Sequence, residues 1–375
     1  MPDAEYYTFQ HCCRLCQQTP LLHHQHRDPT ATLRGAQVKP MLERYLLARY
    51  GTEALPPSWC HRPGHLDFQL RLTAAEPPTV QPVGRGTPYD LFYANVYAAN
   101  DRQALVGDCL LTVTCFEPTL MAFIKEHLPG FFAVTNFGAC KSKGFGSYLL
   151  QGTELTDGQV ARLLRQATGA TAVACFTSPD REQLFRQIRT VYSLMKGGMH
   201  VPPRRRSLLY VYMDTVCGFD HERTMLKANG VVDRPTARYH DKGRYVRGLL
   251  GLPEFYGFGT GRDTQRVTVR HRATEGIPLR QLESPLLVKV IGDRVFLAAR
   301  PINEVLYGAC FTFTLETKNA PPRHTELTVP TREELGEDFL ARFLRYCVGR
   351  MSGEDNLLDL YPVTRGIRLR EVVEE

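Results

Sequence analysis

The sequence predicts an α+β fold: antiparallel sheets carrying helices on one face. Three observations predict it. Asp67–Thr73 alternates Phe68, Leu70 and Leu72 with polar residues, the period of a half-buried strand. Val38, Met41, Leu42, Tyr45 and Leu46 recur at helical spacing and Gly51 closes the run. Residues 286–299 read as a hairpin, LLVKVI and RVFLAA joined by Gly292-Asp293, a two-residue loop that suits a primed turn.

Taken in order, Tyr6–Gln17 is β-rich and ends at Thr19-Pro20. Pro40 fits a first helical turn, which places the start of the next helix at Gln37 to Lys39. Residues 52–66, with three prolines and the single tryptophan, form a loop, and residues 74–88 form a proline- and glycine-rich connector. Cys109–Phe116 is a strand, and Pro118 opens a helix through about His127 that Pro129-Gly130 stops. A strand follows at Gly146–Leu150. This order, β–α–β–(β)–β–α–β, suits a four-stranded antiparallel sheet with two helices on one face. Beyond it, Thr156–Thr168 is a helix, Thr171–Thr177 a strand, and Ser178 caps a helix running to Lys196. Ser207–Met213 reads as a strand, 214–242 as an irregular basic segment, and Arg244–Leu250 as a short helix. Val267–Arg272 and Cys310–Leu315 are strands, Glu333–Met351 is a closing helix, and the tail from Leu357 is a strand-like run or a docked end.

At 375 residues the chain has room for two domains. Lysine and arginine exceed aspartate and glutamate by 46 to 39, a net charge of +7 that permits an anionic partner without requiring one. No apolar run approaches the ~20 residues of a membrane span, and the N-terminus shows no signal-peptide pattern, so a cytoplasmic protein with no membrane contact is expected. The eleven cysteines are then reduced thiols. Cys13 and Cys16 would point to opposite faces of a strand, which argues against a zinc pair, and no metal or other cofactor is expected.

The stretch Asn136–Leu150, NFGACKSKGFGSYLL, holds the strongest functional signal. Closely spaced glycines let a backbone take positive φ and approach a ligand, and Lys141 and Lys143 bring charge to the same place. No G-x4-G-K-[ST] or G-x-G-x-x-G is present, so a nucleotide cofactor is not expected. Lys141, Ser142, Lys143, Gly144, Phe145 and Gly146 read as a cradle for RNA phosphate, with Phe145 free to stack on a base. The plain alternative is a solvated hairpin loop. Arg34, Lys39 and Arg44 surround a helix entry and suit phosphate contacts, although Lys39–Glu43 also makes an ordinary i,i+4 pair. Arg204, Arg205 and Arg206, with Arg244 and Arg247, are further basic candidates, each explicable as solvated charge. His24 and His26, beside His23, could serve in acid–base chemistry or lie as polar loop residues.

On three matches the chain resembles the RAMP superfamily, the RNA-binding subunits of CRISPR effector complexes. Thr19-Pro20-Leu21 and then Leu33-Arg34-x3-Val38-Lys39-x4-Arg44 are similar to that family's first strand and helix entry. Lys141-Ser142-Lys143-Gly144-Phe145-Gly146 is similar to its glycine-rich loop, and Ser284-Pro285-Leu286 leads into a hairpin like one in its second half. Position 40 is proline where the family often has glycine, and only Gly138 precedes the lysine where a glycine doublet is usual.

The resemblance implies tandem ferredoxin-like (RRM-type) units, divided here as 1–153 and 154–375, with a basic irregular insertion at about 214–265. It implies a non-catalytic subunit that holds single-stranded guide RNA by backbone and shape, with other effector-complex subunits as partners. Two alternatives stand beside it: a metal-independent CRISPR endoribonuclease using His24 or His26, and a protein-interaction scaffold without an RNA role.

Overall fold

A computed structural model describes residues 9–22, 32–51, 55–62, 64–83, 87–89, 103–233, 242–252, 255–258, 265–272, 283–317 and 320–374. Packing divides the chain into two units, one of Met1–Phe185, Leu287–Ala298 and Val372–Glu375, the other of Arg186–Leu286 and Ala299–Glu371. The division expected after residue 153 falls inside the first unit, because Val160, Ala161 and Leu164 share its core.

The first unit begins with β1 (Gln10–Gln17), α1 (Gly35–Tyr50), β2 (Gln69–Ala74), β3 (Cys109–Thr114), α2 (Pro118–Val134) and β4 (Tyr148–Leu150). The strands form one antiparallel sheet in the order β2-β3-β1-β4, with Cys13 opposite Leu111 and Leu15 opposite both Cys109 and Leu150. Leu15, Leu111 and Val113 meet Val38, Leu42 and Leu46 of α1 and Leu120, Ile124 and Leu128 of α2 in one buried cluster. Each such side chain contributes about 1.5–3 kcal/mol by leaving water.

Two helices overrun their expected bounds. α1 starts at Gly35, so Pro40 lies inside it, past the first turn. An added Cβ at Gly35 would stand 2.9 Å from the Leu70 carbonyl oxygen, so glycine lets the helix begin hard against β2. α2 runs through Pro129 to Val134. An interior proline costs ~3 kcal/mol, but Leu128, Phe131, Phe132, Ala133 and Val134 are buried by the same continuation, and packing wins. The 74–88 connector also contains a strand, Thr79–Pro82, paired with Gln103–Val106.

α3 (Asp157–Thr168) has a reciprocal capping box at Thr156 and Gln159 and ends on left-handed Gly169. β5 (Ala172–Thr177) lies beside the hairpin Leu286–Ile291/Arg294–Ala299, which turns through Gly292 as expected. Lys289, in the first arm of the hairpin, is fully buried.

In the second unit, Phe255–Phe258, Gln265–His271, Cys310–Thr317 and Ala320–Thr328 form a four-stranded antiparallel sheet. Tyr245, Tyr256, Phe311 and Phe313 pack together in its core. Leu208–Thr215 is a helix where a strand was expected. Its buried residues Leu208, Leu209, Tyr212 and Met213 follow a helical period, and Ser207 Oγ accepts the Tyr210 N–H at 3.1 Å. Segment 214–242 is less irregular than its composition suggests, since Glu222–Ala228 is helical. The closing helix is two pieces, Arg332–Leu335 and Phe339–Arg350, separated at Gly336 and at Asp338 with φ of 50°.

Ser207→Ala should destabilise the protein by about 1 kcal/mol through loss of the cap, measured by urea unfolding. No change would be the result of a strand at 207–213.

Candidate functional site

The glycine-rich loop is bound to its surroundings through its backbone. Asn136 and Ser147 bridge at its base, and the Phe137 N–H donates to Gly146 O at 2.9 Å. Gly138, Gly144 and Gly146 take positive φ of 76°, 91° and 65°. A Cβ at Gly146 would sit 2.0 Å from Phe137 O, and one at Gly138 2.4 Å from Leu22 O. These two glycines admit neighbouring backbone, so their space is already taken by the protein itself.

Polar side chains fix the rest. Thr19 Oγ1 donates to Gly144 O at 2.6 Å and accepts the Ser147 N–H at 2.9 Å. Asn136 Nδ2 donates to Lys141 O at 2.7 Å and to Val288 O at 2.8 Å, and Ser142 O accepts the Val288 N–H at 2.9 Å. The loop is therefore not a solvated hairpin.

Phe145 is not free to stack on a base. It is fully buried against Phe185, with ring centroids 4.3 Å apart and planes 26° from parallel. Its role is packing. Lys141, Ser142 and Lys143 are half-buried, and burial pulls the Lys143 ammonium down to about 8. Its charge is thus lost at mildly alkaline pH, well before that of an ordinary lysine.

The other predicted cations divide into two groups. Arg34 is exposed and immediately precedes α1, and Arg44, also exposed, donates to Pro40 O at 3.3 Å. Lys39 makes the i,i+4 pair with Glu43 at 3.3 Å and sits over the Phe68 ring at 5.1 Å. Arg244 is held by Glu334, Nε to Oε1 at 3.1 Å. His24 and His26 lie outside the described residues.

Arg204, Arg205, Arg206 and Arg247, by contrast, come together. In the second unit they line a cavity of about 360 Å³ together with Lys196, Arg223 and Lys227. Among the described residues its lining contains no aspartate or glutamate. The Arg204–Arg206 triplet is exposed at the rim, and Arg223 and Arg247 are half-buried. Arg223 Nε and Arg247 Nε are buried and meet no acceptor among the described residues. Arg223 Nη2 donates to Gly257 O at 3.1 Å, and its guanidinium faces Phe258 at 4.9 Å. Burial, and then Arg247, lower the Arg223 pKa.

His200 and His221 also line the cavity. Burial and the neighbouring arginines lower both imidazoles, His221 most strongly. Lys196, His200, Arg223 and Lys227 escaped the sequence reading. The i,i+4 spacing of Arg223 and Lys227 was the available signal, but it lay in a stretch read as irregular.

Residues 9–199 match the Cmr1 N-terminal domain and residues 204–358 the Cmr1 C-terminal domain. The chain is thus a CRISPR-associated protein of the RAMP superfamily, the class of type III effector subunits. It belongs to the Cmr1 family. Among solved structures it is similar to Cmr1 from Pyrococcus furiosus in its apo form, at 9% identity and a TM-score of 0.43, over 98% of this chain and 99% of that one. No curated protein matches.

Phe145→Ala should cost about 3–5 kcal/mol of stability in chemical denaturation, as expected for a packed core ring. A surface stacking residue would cost almost nothing. Lys143 has a folded pKa near 8 against 10.5 in the free side chain, so the folded state holds the charge less well. The penalty is complete below pH 8 and disappears as pH rises toward 10.5. Lys143→Met should therefore raise the melting temperature at pH 7, with the gain shrinking through that window. A gain independent of pH would contradict the burial.

Proposed function

We propose that this chain is the RNA-holding subunit of a multi-subunit type III CRISPR effector acting in the cytoplasm. It would bind single-stranded guide RNA through phosphate contacts. The cavity around Arg204–Arg206 carries this reading: seven lysines and arginines line it, and among the described residues no carboxylate belongs to its lining. Guanidinium groups match phosphate in charge and in geometry. Lys141 and Lys143 supply further phosphate contacts, with Gly144, Phe145 and Gly146 as the buried support beneath them.

The proposed frame is a tandem of ferredoxin-like units. The order β1-α1-β2-β3-α2-β4 with sheet order β2-β3-β1-β4 supports the first. The sequence of β5, helix Leu184–Tyr192, the 286–299 hairpin, helix Phe339–Arg350 and strand Arg370–Glu371 repeats that order and supports the second. The long stretches inside the second repeat hold the cavity. In such units RNA contacts commonly fall on backbone and exposed bases.

Fluorescence anisotropy with a labelled single-stranded RNA across a salt series tests the reading. The Arg204→Ala/Arg205→Ala/Arg206→Ala variant should flatten the log–log salt slope by about 2, and Lys141→Ala/Lys143→Ala by about 1.4. RNA that fails to bind at low salt, or slopes unchanged in both folded variants, would overturn it.

A further inference from the structure

We infer that the Arg204–Arg206 cavity takes the terminal phosphate of an RNA chain, a phosphomonoester, in preference to an internal phosphodiester. This rests on the RNA-holding reading and narrows its ligand.

Charge is the first ground. An internal diester brings a single negative charge, whereas a terminal phosphate brings about −1.5 to −2 and three acceptor oxygens. Seven cationic side chains line a cavity of about 360 Å³. That density is in excess of what one diester can neutralise, and its size matches a chain end within the range of small-ligand sites.

The unsatisfied donors are the second. Arg223 and Arg247 both line the cavity, and each has a buried Nε that meets no acceptor among the described residues. A buried donor without a partner is destabilising, and an oxyanion is the acceptor that a guanidinium edge fits best. A terminal phosphate, with three acceptor oxygens, can meet both donors and still accept from the rim arginines.

The aromatic surroundings are the third. Tyr210 lines the same cavity, but Arg206 covers its ring at 4.7 Å and His221 lies 5.1 Å away on a tilted plane. Its hydroxyl is 3.2 Å from Thr224 Oγ1. A ring so engaged is not offered as a platform for a base. The cavity therefore reads phosphate without reading sequence. The helix Leu208–Thr215 also starts at Ser207, a lining residue, and adds its positive end.

The test uses the full chain and three RNAs of one sequence: one with hydroxyls at both ends, one 5′-phosphorylated and one 3′-phosphorylated. One phosphorylated RNA should bind about tenfold tighter than the hydroxyl form. Inorganic phosphate should erode that advantage. In Arg247→Gln the ratio should collapse toward one. Arg206→Ala, at the exposed rim, gives a second variant with the same expectation should Arg247→Gln fail to fold. Equal binding of all three RNAs overturns the inference and leaves the RNA-holding reading intact. Binding of none overturns that reading itself.

Discussion

The loop's geometry depends on one buried lysine. Lys289 Nζ donates to Phe132 O and Thr135 O, each at 2.8 Å, at the C-terminal end of α2, and approaches Tyr148 O at 3.5 Å. Burial pushes its pKa well below the ordinary lysine value, so the charge stays only where acceptors compensate it. The unpaired carbonyls at a helix C-terminus, the negative end of its dipole, are such acceptors. Lys289 thereby fixes where α2 stops and where Asn136 begins. Its neighbours complete the anchor: Val288 bonds Ser142 and Asn136, and Val290 O accepts Ser147 Oγ–H at 2.7 Å. Residues more than 140 positions apart in sequence thus define one loop.

This long reach explains what the sequence could and could not disclose. Local chemistry was readable: the Thr156 capping box, the Gly292 turn and the α+β order all rest on neighbours within a few residues. The helix through Pro129 was not readable, because burial of Phe131 and Phe132 outweighs a local prohibition. Leu208–Thr215 failed for a similar reason, its short apolar run being compatible with either period until packing selects one. In the loop the positions were legible and their roles only in part. Gly146 proved essential for close approach, yet to Phe137 of the same chain, and Phe145 turned inward to Phe185.

The cavity illustrates the opposite limit. Arg204–Arg206 was visible as a triplet, but nothing in a linear sequence tells a solvated triplet from one wall of a charged cavity. Arg247 and Arg223 make the difference, and the fold brings them in from other segments. Behind them Glu222 is fully buried, accepts the Tyr256 O–H at 2.9 Å, and has its pKa raised by burial against the pull of Arg247. A carboxylate placed there tempers the arginines from within the protein while leaving the cavity lining itself cationic. The protein can hold the cluster without an anion, and an anion still finds donors.

His221 shows how a histidine can serve this cavity through its position. A general base needs an exposed, unprotonated imidazole nitrogen. His221 Nδ1 accepts the Arg223 N–H at 3.2 Å, and Nε2 lies 3.3 Å from Glu222 Oε1, so both nitrogens are engaged. The side chain is 4% exposed, and burial with two neighbouring arginines opposes its protonation. It therefore works as a neutral spacer, capping the helix Glu222–Ala228 with Nδ1 and presenting Nε2 to the carboxylate. Because Arg223 begins the same helical turn, the cap that neutralises His221 also sets where the Arg223 guanidinium stands. In this wall His221 contributes position, and the arginines contribute the charge.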